Sequence, residues 1–393
     1  MRYDARMASD STRTFYEFFS GAGMARLGLG AAWTCLFAND FDPHKIAAYE
    51  RHFGGGDARC EDVNKLKAAD LPGRAALAWA SFPCQDLSLA GGRGGLAAPR
   101  SGAFFAFWRL MEQLRKEGRA PRVIALENVA GLLTSRGGAD FAAIVERLTA
   151  AGYQTGALMI DAAEFVPQSR PRLFIVGVTG APPPYLTSDA PDPHRTPAAM
   201  LRAVETLSAE ARANFVWWTL PQAAARNTSL ADLIEWDLPT SAWRSDDATR
   251  HMLSQMSPLQ RTRVEFLRNT PGRHAGALYR RIRVERGVKV QRAEARFDGL
   301  AGCLRTPGGG SSRQFLIAIE NGKVRTRLMT PRETARLMGM PDDYVLPDNL
   351  NKALHLTGDG VAAPAVRHLA ECLIEPLLDT KGSGRSARKA KAA

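Results

Sequence analysis

Over roughly its first 180 residues the chain alternates short apolar runs with stretches of helical periodicity, and this alternation restricts the fold more than any single motif. Apolar runs at 15–19, 34–38, 76–81, 123–126, 158–161 and 173–178 have the length and composition of strands. Between them the spacing predicts a helix from about Met24 and further helices at 43–53, 104–116 and 141–151. Pro43 suits a first helical turn, where its missing N–H costs nothing, and Gly152 suits a helix end. Strand–helix alternation of this kind implies an α/β domain with a doubly wound, parallel-rich sheet.

The pattern breaks at Ala181-Pro182-Pro183-Pro184. From there to about residue 316 few clean periods remain, tryptophans recur (Trp217, Trp218, Trp236, Trp243), and arginine accumulates. A helix start follows at Thr330, with Pro331 in its first turn, and 362–378 reads as one long amphipathic helix. The expected division is a flexible N-terminus (1–13), a catalytic domain in two parts (14–184 and 319–379), a smaller irregular domain between them (185–318), and a disordered basic tail (380–393).

The formal net charge of +12 implies a polyanionic partner, most often nucleic acid. Part of the excess lies in the tail. A second concentration runs from Arg261 to Arg296, opposed only by Glu265, Glu285 and Glu294. It is either a solvated surface or a set of phosphate and base contacts, and its arginine bias favours the second. The five cysteines form no C-x-x-C pair, which argues against a disulfide framework and against a metal site. No apolar run approaches a membrane span, and residues 1–14 carry no apolar signal core, so a cytoplasmic location is expected.

Six short motifs lie where an α/β sheet keeps its chemistry, at strand ends. Phe19-Ser20-Gly21-Ala22-Gly23 sits between the first strand and first helix, where glycines permit a sharp turn and close approach of a ligand. It is neither G-x-G-x-x-G nor a P-loop. Asn39-Asp40-Phe41-Asp42 ends the second strand, with an acid for ribose hydroxyls and an aromatic ring for an adenine. Glu61-Asp62-Val63 offers another acid to an adenine amino group. Together they describe a nucleoside cofactor that needs little phosphate binding, and S-adenosylmethionine fits. Phe82-Pro83-Cys84-Gln85 follows the next strand and places a thiol as a nucleophile. Leu126-Glu127-Asn128-Val129 closes a strand with a glutamate able to donate to a ring nitrogen. Gln168-Ser169-Arg170-Pro171-Arg172 precedes another strand, and its alternate arginines are predicted to face one pocket. Cys35, Cys60, Cys303 and Cys372 read as inert cysteines.

In this order the motifs resemble the cytosine-C5 DNA methyltransferases of the bacterial modification type, over nearly the whole chain. The resemblance implies a doubly wound, Rossmann-like S-adenosylmethionine-dependent methyltransferase domain with a smaller, irregular target-recognition domain. It implies methyl transfer to cytosine C5 in duplex DNA, with base flipping and a covalent bond from Cys84 to C6. Glu127, Arg170 and Arg172 would complete the catalytic set. The cofactor would meet Phe19, Ser20, Gly21, Ala22, Gly23, Asp40, Phe41, Asp62, Val63, Pro83, Asp359 and Gly360. DNA would meet Gln85, Ser88, Arg280, Arg281, Arg283 and Arg305. Two departures stand out: Glu61 replaces a glycine usual in the family, and Gly358-Asp359-Gly360-Val361 replaces Gly-Asn-Ser-Val. The segment from Arg327 to Glu333 matches one that organises the DNA-binding domain, in a structural role. The expected protein is a monomer acting on double-stranded DNA, with any cognate restriction endonuclease working independently. Competing readings are an RNA cytosine-C5 methyltransferase, a non-catalytic DNA-binding protein on the same fold, and a nicotinamide oxidoreductase. The last lacks its fingerprint.

Overall fold

The computed structural model describes residues 13–83, 102–306 and 313–379. The strands of the first half are β1 (Thr14–Phe18), β2 (Thr34–Asp40), β3 (Ala58–Cys60), β4 (Leu77–Ala80), β5 (Val123–Asn128), β6 (Tyr153–Asp161) and β7 (Pro171–Thr179). They form one seven-stranded sheet in the order β3-β2-β1-β4-β5-β7-β6. The first five are parallel, and β7 is antiparallel to both of its neighbours. A parallel return needs a crossover of a dozen or more residues. Only residues 162–170 separate β6 from β7, so the chain turns back and β7 inserts beside β5. Strand order reverses between β1 and β4, and the carboxyl ends of these two strands mark the crevice where such sheets bind ligands.

Both sheet faces are covered, as a parallel sheet requires. Helices Ala103–Lys116 and Ala139–Ala150 bury Phe104, Phe107, Leu110, Phe141 and Ile144 against Tyr16, Phe18, Ala78 and Ile124. On the other face, Met24, Ala25 and Leu29 pack with Val366, Leu369, Leu373 and Leu377 over Phe15, Leu77, Trp79 and Val176. The segment expected as one C-terminal helix is helical throughout but widens into a π-turn at Ala370–Ile374. Pro376 explains this. It has no N–H for the carbonyl four residues back, and its ring crowds that carbonyl.

The division at 185–318 needs correction at both ends. Residues up to about 243 belong to the large domain. Met200, Ala203, Val204, Leu207 and Ala211 complete the core under Phe141. A short pair, β8 (Thr187–Ser188) and β9 (Trp217–Trp218), brings Trp218 over β7, where its indole N–H donates to the Val176 carbonyl at 3.2 Å. At the other end, residue 318 falls inside a strand. The second sheet contains β10 (Arg273–Glu285), β11 (Val288–Arg296), β12 (Phe315–Glu320) and β13 (Lys323–Leu328), all antiparallel, in the order β11-β10-β12-β13. Its own core joins Leu278, Ala293, Phe315, Ile317 and Ile319 to Met252, Met256, Val264 and Leu267 of helices Asp246–Ser254 and Pro258–Arg268. The small sheet and its two helices thus lie within residues 246–328.

The expected structural role of the segment after β13 has a physical basis. Thr330 caps helix Pro331–Arg336 in a capping box with Glu333. Arg327 and Glu333 are each 1% exposed and form a bidentate pair at 2.5 and 2.6 Å. Arg327 also donates to the Glu235 carbonyl and lies over the Trp243 ring. Removing one partner of such a pair leaves a buried charge uncompensated. Arg327→Leu should therefore cost about 3–5 kcal/mol in urea unfolding, and a loss below 1 kcal/mol would show that the pair does not hold the two domains.

Candidate active site

The site assembles where four segments meet at the carboxyl edge of the large sheet. The first is the turn after β1. Phe19 is left-handed (φ 57°), so the strand ends one residue earlier than expected. Gly23 (φ 72°) faces helix Pro43–Phe53 so closely that a Cβ would lie 2.4 Å from the Phe53 ring and 2.8 Å from Tyr49. Gly21 (φ 54°) has open space above it, with nothing within 4 Å of a would-be Cβ.

Asp40 ties this turn to the second segment. Its carboxylate accepts from the backbone N–H groups of Gly21 and Asp42, each at 2.9 Å. Burial raises the Asp40 pKa against the pull of Lys45. Asp42 caps the following helix by accepting from the His44 N–H. Phe41 is 69% exposed and leaves a ring face open beside the turn. Asp62 is exposed and holds its own loop through the Asn64 N–H, with Val63 buried next to it.

The third segment is 358–361. A Cβ on Gly360 would meet Met24 Sδ at 2.3 Å, so this segment lies directly on the start of the first helix. Asp359 forms an ion pair with Lys45 at 2.7 Å and accepts from the Thr306 hydroxyl.

The fourth group is the pair of strands β5 and β7. Glu127, one residue before the end of β5, is almost fully buried, and its carboxylate meets Arg172 Nε at 3.1 Å. Asn128 donates to the Phe82 carbonyl at 3.2 Å and so fixes the backbone that leads through Pro83 to the expected nucleophile. Cys84, Gln85 and Ser88 lie outside the described residues.

Arg170 departs from the expected catalytic role. Its guanidinium is 1% exposed and donates to the carbonyls of Leu304, Gly358 and Gly360 at 2.8, 2.9 and 2.6 Å. Burial lowers its pKa to about 10. It clamps backbone rather than facing a base. Arg170 and Arg172 do converge, but on Cys303, at 3.3 and 3.9 Å. Cys303 was expected to be inert. Burial alone would raise its thiol pKa, but the guanidiniums of Arg170, Arg172 and Arg305 outweigh that and hold it below the usual value. No local pattern marks Cys303. It reaches β7 because Ala301 bridges to Gln168, whose buried amide joins Leu304 N–H to the Leu337 carbonyl.

The arginines expected to meet DNA separate. Arg305 is exposed beside Gly358. Arg281 and Arg283 share one face of the β10–β11 hairpin and both meet Glu294, whereas Arg280 points from the other face and bonds Gln291. Among the described residues no group of three or more His, Cys, Asp or Glu could hold a metal, and no helix is long and apolar enough to cross a membrane.

Glu17, one residue before the end of β1, was missed as well. It is 1% exposed, and burial pushes its carboxyl up to about 8 despite the nearby Arg26. The folded protein therefore keeps this proton through a range where the unfolded chain, with an ordinary glutamate near 4.3, has released it. Between these values the unfolded state binds fewer protons, so stability falls as pH rises toward 8. Glu17→Gln keeps the neutral form at every pH. Its melting temperature should vary less than the parent's between about pH 5 and pH 8 and exceed it at pH 8. Parallel curves would rule out Glu17 as the titrating group.

The residues 13–375 match the model of the C-5 cytosine-specific DNA methylases. The chain is 27% identical to the type II methyltransferase M.NlaX of Neisseria lactamica over 359 residues, covering 90% of this chain and 94% of that protein. It is also 27% identical to the type II methyltransferase M.HpaII of Haemophilus parainfluenzae, covering 93% of this chain and 90% of that one. The S. pombe Dnmt2 methyltransferase structure superposes with a TM-score of 0.59 at 17% identity, covering 93% of this chain and 99% of that one. The doubly wound sheet, the motif-bearing strand ends and a match across nearly all of its length place the chain in the C-5 cytosine-specific DNA methylase family, as a DNA cytosine-5 methyltransferase.

Proposed function

We propose that the protein transfers a methyl group from S-adenosylmethionine to C5 of a cytosine in a specific duplex DNA sequence. The observation that carries this reading is the Glu127–Arg172 pair between β5 and β7, set next to the Phe82–Asn128 contact that joins the ends of β4 and β5. The residues around Gly21 suit the cofactor. There is open space over Gly21, an exposed Phe41 ring for an adenine, and a buried Ser20 hydroxyl with no partner among the described residues. Asp40 keeps lone pairs for ribose hydroxyls while both its oxygens hold backbone. When bound, the cofactor supplies an electrophilic methyl group.

Cytosine C5 is a poor nucleophile. The Cys84 thiolate would add at C6, with Glu127 donating to N3 and Arg172 holding Glu127 and facing the base carbonyl. C5 would then take the methyl as the methyl–sulfur bond of the donor breaks, a base would remove the C5 proton, and the Cys84 thiolate would leave C6 to restore the ring. The target base must leave the stack for this, at a cost of a few kcal/mol, offset by contacts from the small domain. The protein would work as a cytoplasmic monomer of restriction–modification type, with any cognate endonuclease acting separately.

Cys84→Ser should reduce turnover by several orders of magnitude and leave cofactor affinity nearly unchanged. Duplex DNA with 5-fluorocytosine at the target should trap a covalent adduct with the parent, because fluorine blocks the final proton loss. An active enzyme that forms no adduct at Cys84 would overturn the mechanism. Asp40→Ala should weaken S-adenosylmethionine binding by about 1–3 kcal/mol in calorimetry, since it removes both a ribose acceptor and the anchor of Gly21.

A further inference from the structure

The small sheet carries an extension that the catalytic chemistry does not use. β12 pairs with β10 only over residues 273–278, but β10 and β11 continue together to the pair Glu285–Val288. Residues 279–285 and 288–294 therefore form a two-stranded ribbon with no third strand, anchored at its base by buried Ala293 and clear of the core from the pair Arg281–Arg292 to the turn, roughly 15 Å at the usual strand rise. It closes through Arg286 and Gly287, both left-handed (φ 49° and 79°), which matches a tight two-residue hairpin turn whose twist suits the strands. The ribbon starts at the site. Tyr279 packs so closely on Gly302 that a Cβ there would lie 1.9 Å from its hydroxyl, and Gly302 precedes the Cys303 that touches Arg170 and Arg172.

Register assigns the ribbon's faces. Tyr279, Arg281, Arg283, Val290, Arg292 and Glu294 share the face that begins against Gly302. Ile282 lies on the reverse face, opposite Gln291. On the first face one carboxylate organises two arginines. Glu294 Oε1 accepts from Arg283 Nε and Nη2 at 2.9 and 2.5 Å, and Glu294 Oε2 lies 3.6 Å from Arg281 Nε. The Arg281 guanidinium also sits 5.5 Å over the Tyr279 ring. Held by its Nε edge and one ring face, Arg281 has no hydrogen bond or ion pair to its two terminal nitrogens among the described residues. These nitrogens are the fork which pairs with the O6 and N7 edge of guanine. A two-stranded ribbon fits the major groove, about 12 Å wide.

We propose that this ribbon enters the major groove beside the target cytosine, and that Glu294 is a specificity-determining positioning residue that fixes Arg281 and Arg283 for base reading. The inference rests on the duplex-DNA methyltransferase activity proposed above. Duplex DNA is the occupant that charge favours, because arginine and lysine dominate the surface from Arg261 to Arg296. A carboxylate facing a polyanion weakens binding by simple electrostatics. Its use here is orientation: it restricts long, flexible side chains to one geometry before DNA arrives.

Glu294→Gln separates the two effects. The parent, Glu294→Gln and Ile282→Thr are each given a duplex library with randomised flanks, and methylated cytosines are read by bisulfite sequencing. Affinity for a duplex without the preferred sequence is measured in parallel. The parent should methylate one defined sequence, and Ile282→Thr should keep it. Glu294→Gln should bind the non-preferred duplex as tightly or more tightly, yet lose about tenfold or more of its discrimination at one or two positions. Retained discrimination within twofold would overturn the role of Glu294. Equal relaxation by Ile282→Thr would also overturn it, by showing that any ribbon change has the same effect. A parent that methylates no duplex would overturn the activity itself, and the inference with it.

Discussion

The site depends on one buried guanidinium. Arg170 starts the short step into β7, and its terminal nitrogens bind three carbonyls from two distant stretches of chain, Leu304 and the pair Gly358 and Gly360. Its backbone N–H donates to Asp161 at 2.6 Å, which fixes it to the end of β6. Each stretch then carries a functional segment. Leu304 brings Cys303 and Arg305 to the Glu127–Arg172 pair. Gly358 and Gly360 bring the C-terminal segment onto Met24 and the turn after β1. Carbonyl dipoles rather than a carboxylate satisfy this cation. That costs more than an ion pair in desolvation, and the lowered pKa of about 10 records it. The arrangement is stable only when all three carbonyls are in place, so it couples the catalytic strand, the return from the small domain and the cofactor end into one unit.

Most of the large domain was legible because its signals are local. The runs at 34–38 and 123–126 became β2 and β5 with the strands slightly extended, and helix Pro43–Phe53 matched because its proline start and Asp42 cap are written in adjacent residues. The turns at 19–23 and 39–42 lie together because a parallel sheet aligns successive carboxyl ends. What the chain concealed is tertiary. The hairpin from Arg273 to Arg296 shows little apolar alternation, since both its faces are solvated beyond the pair Arg280–Ala293. Residues 198–218 looked irregular because they fill gaps in another core instead of forming one. A spacing of two put Arg170 and Arg172 on one side, with Arg172 the stronger catalytic candidate, but it could not show their partners, three backbone carbonyls for Arg170 and Glu127 for Arg172.

The two buried arginine systems do different work. Arg327 is neutralised by Glu333 in a 1%-exposed pair and is braced by Trp243, so it leaves little net field around it. It serves as a joint between the small sheet and helix Pro331–Arg336. Such a pair contributes little over an apolar substitute but a great deal over either half alone. Domain geometry is then sensitive to its loss and insensitive to salt, unlike the exposed pairs of the ribbon, which salt would screen.

In the cluster around Glu127 and Arg172 the charges do not cancel. Glu127 pairs with Arg172, but Arg170 has no carboxylate of its own, and Arg305 adds a further cation nearby. The local excess is positive in a buried setting where charge is weakly screened. Its effect is visible on the one thiol the structure shows there, since Cys303 is held below its usual value although burial alone would raise it. Any thiolate or developing oxyanion brought to the same place would gain from the same fixed charges, with no reorganisation at the moment of reaction. The buried clamp that assembles the site is thus also a source of the field that suits it to anionic chemistry.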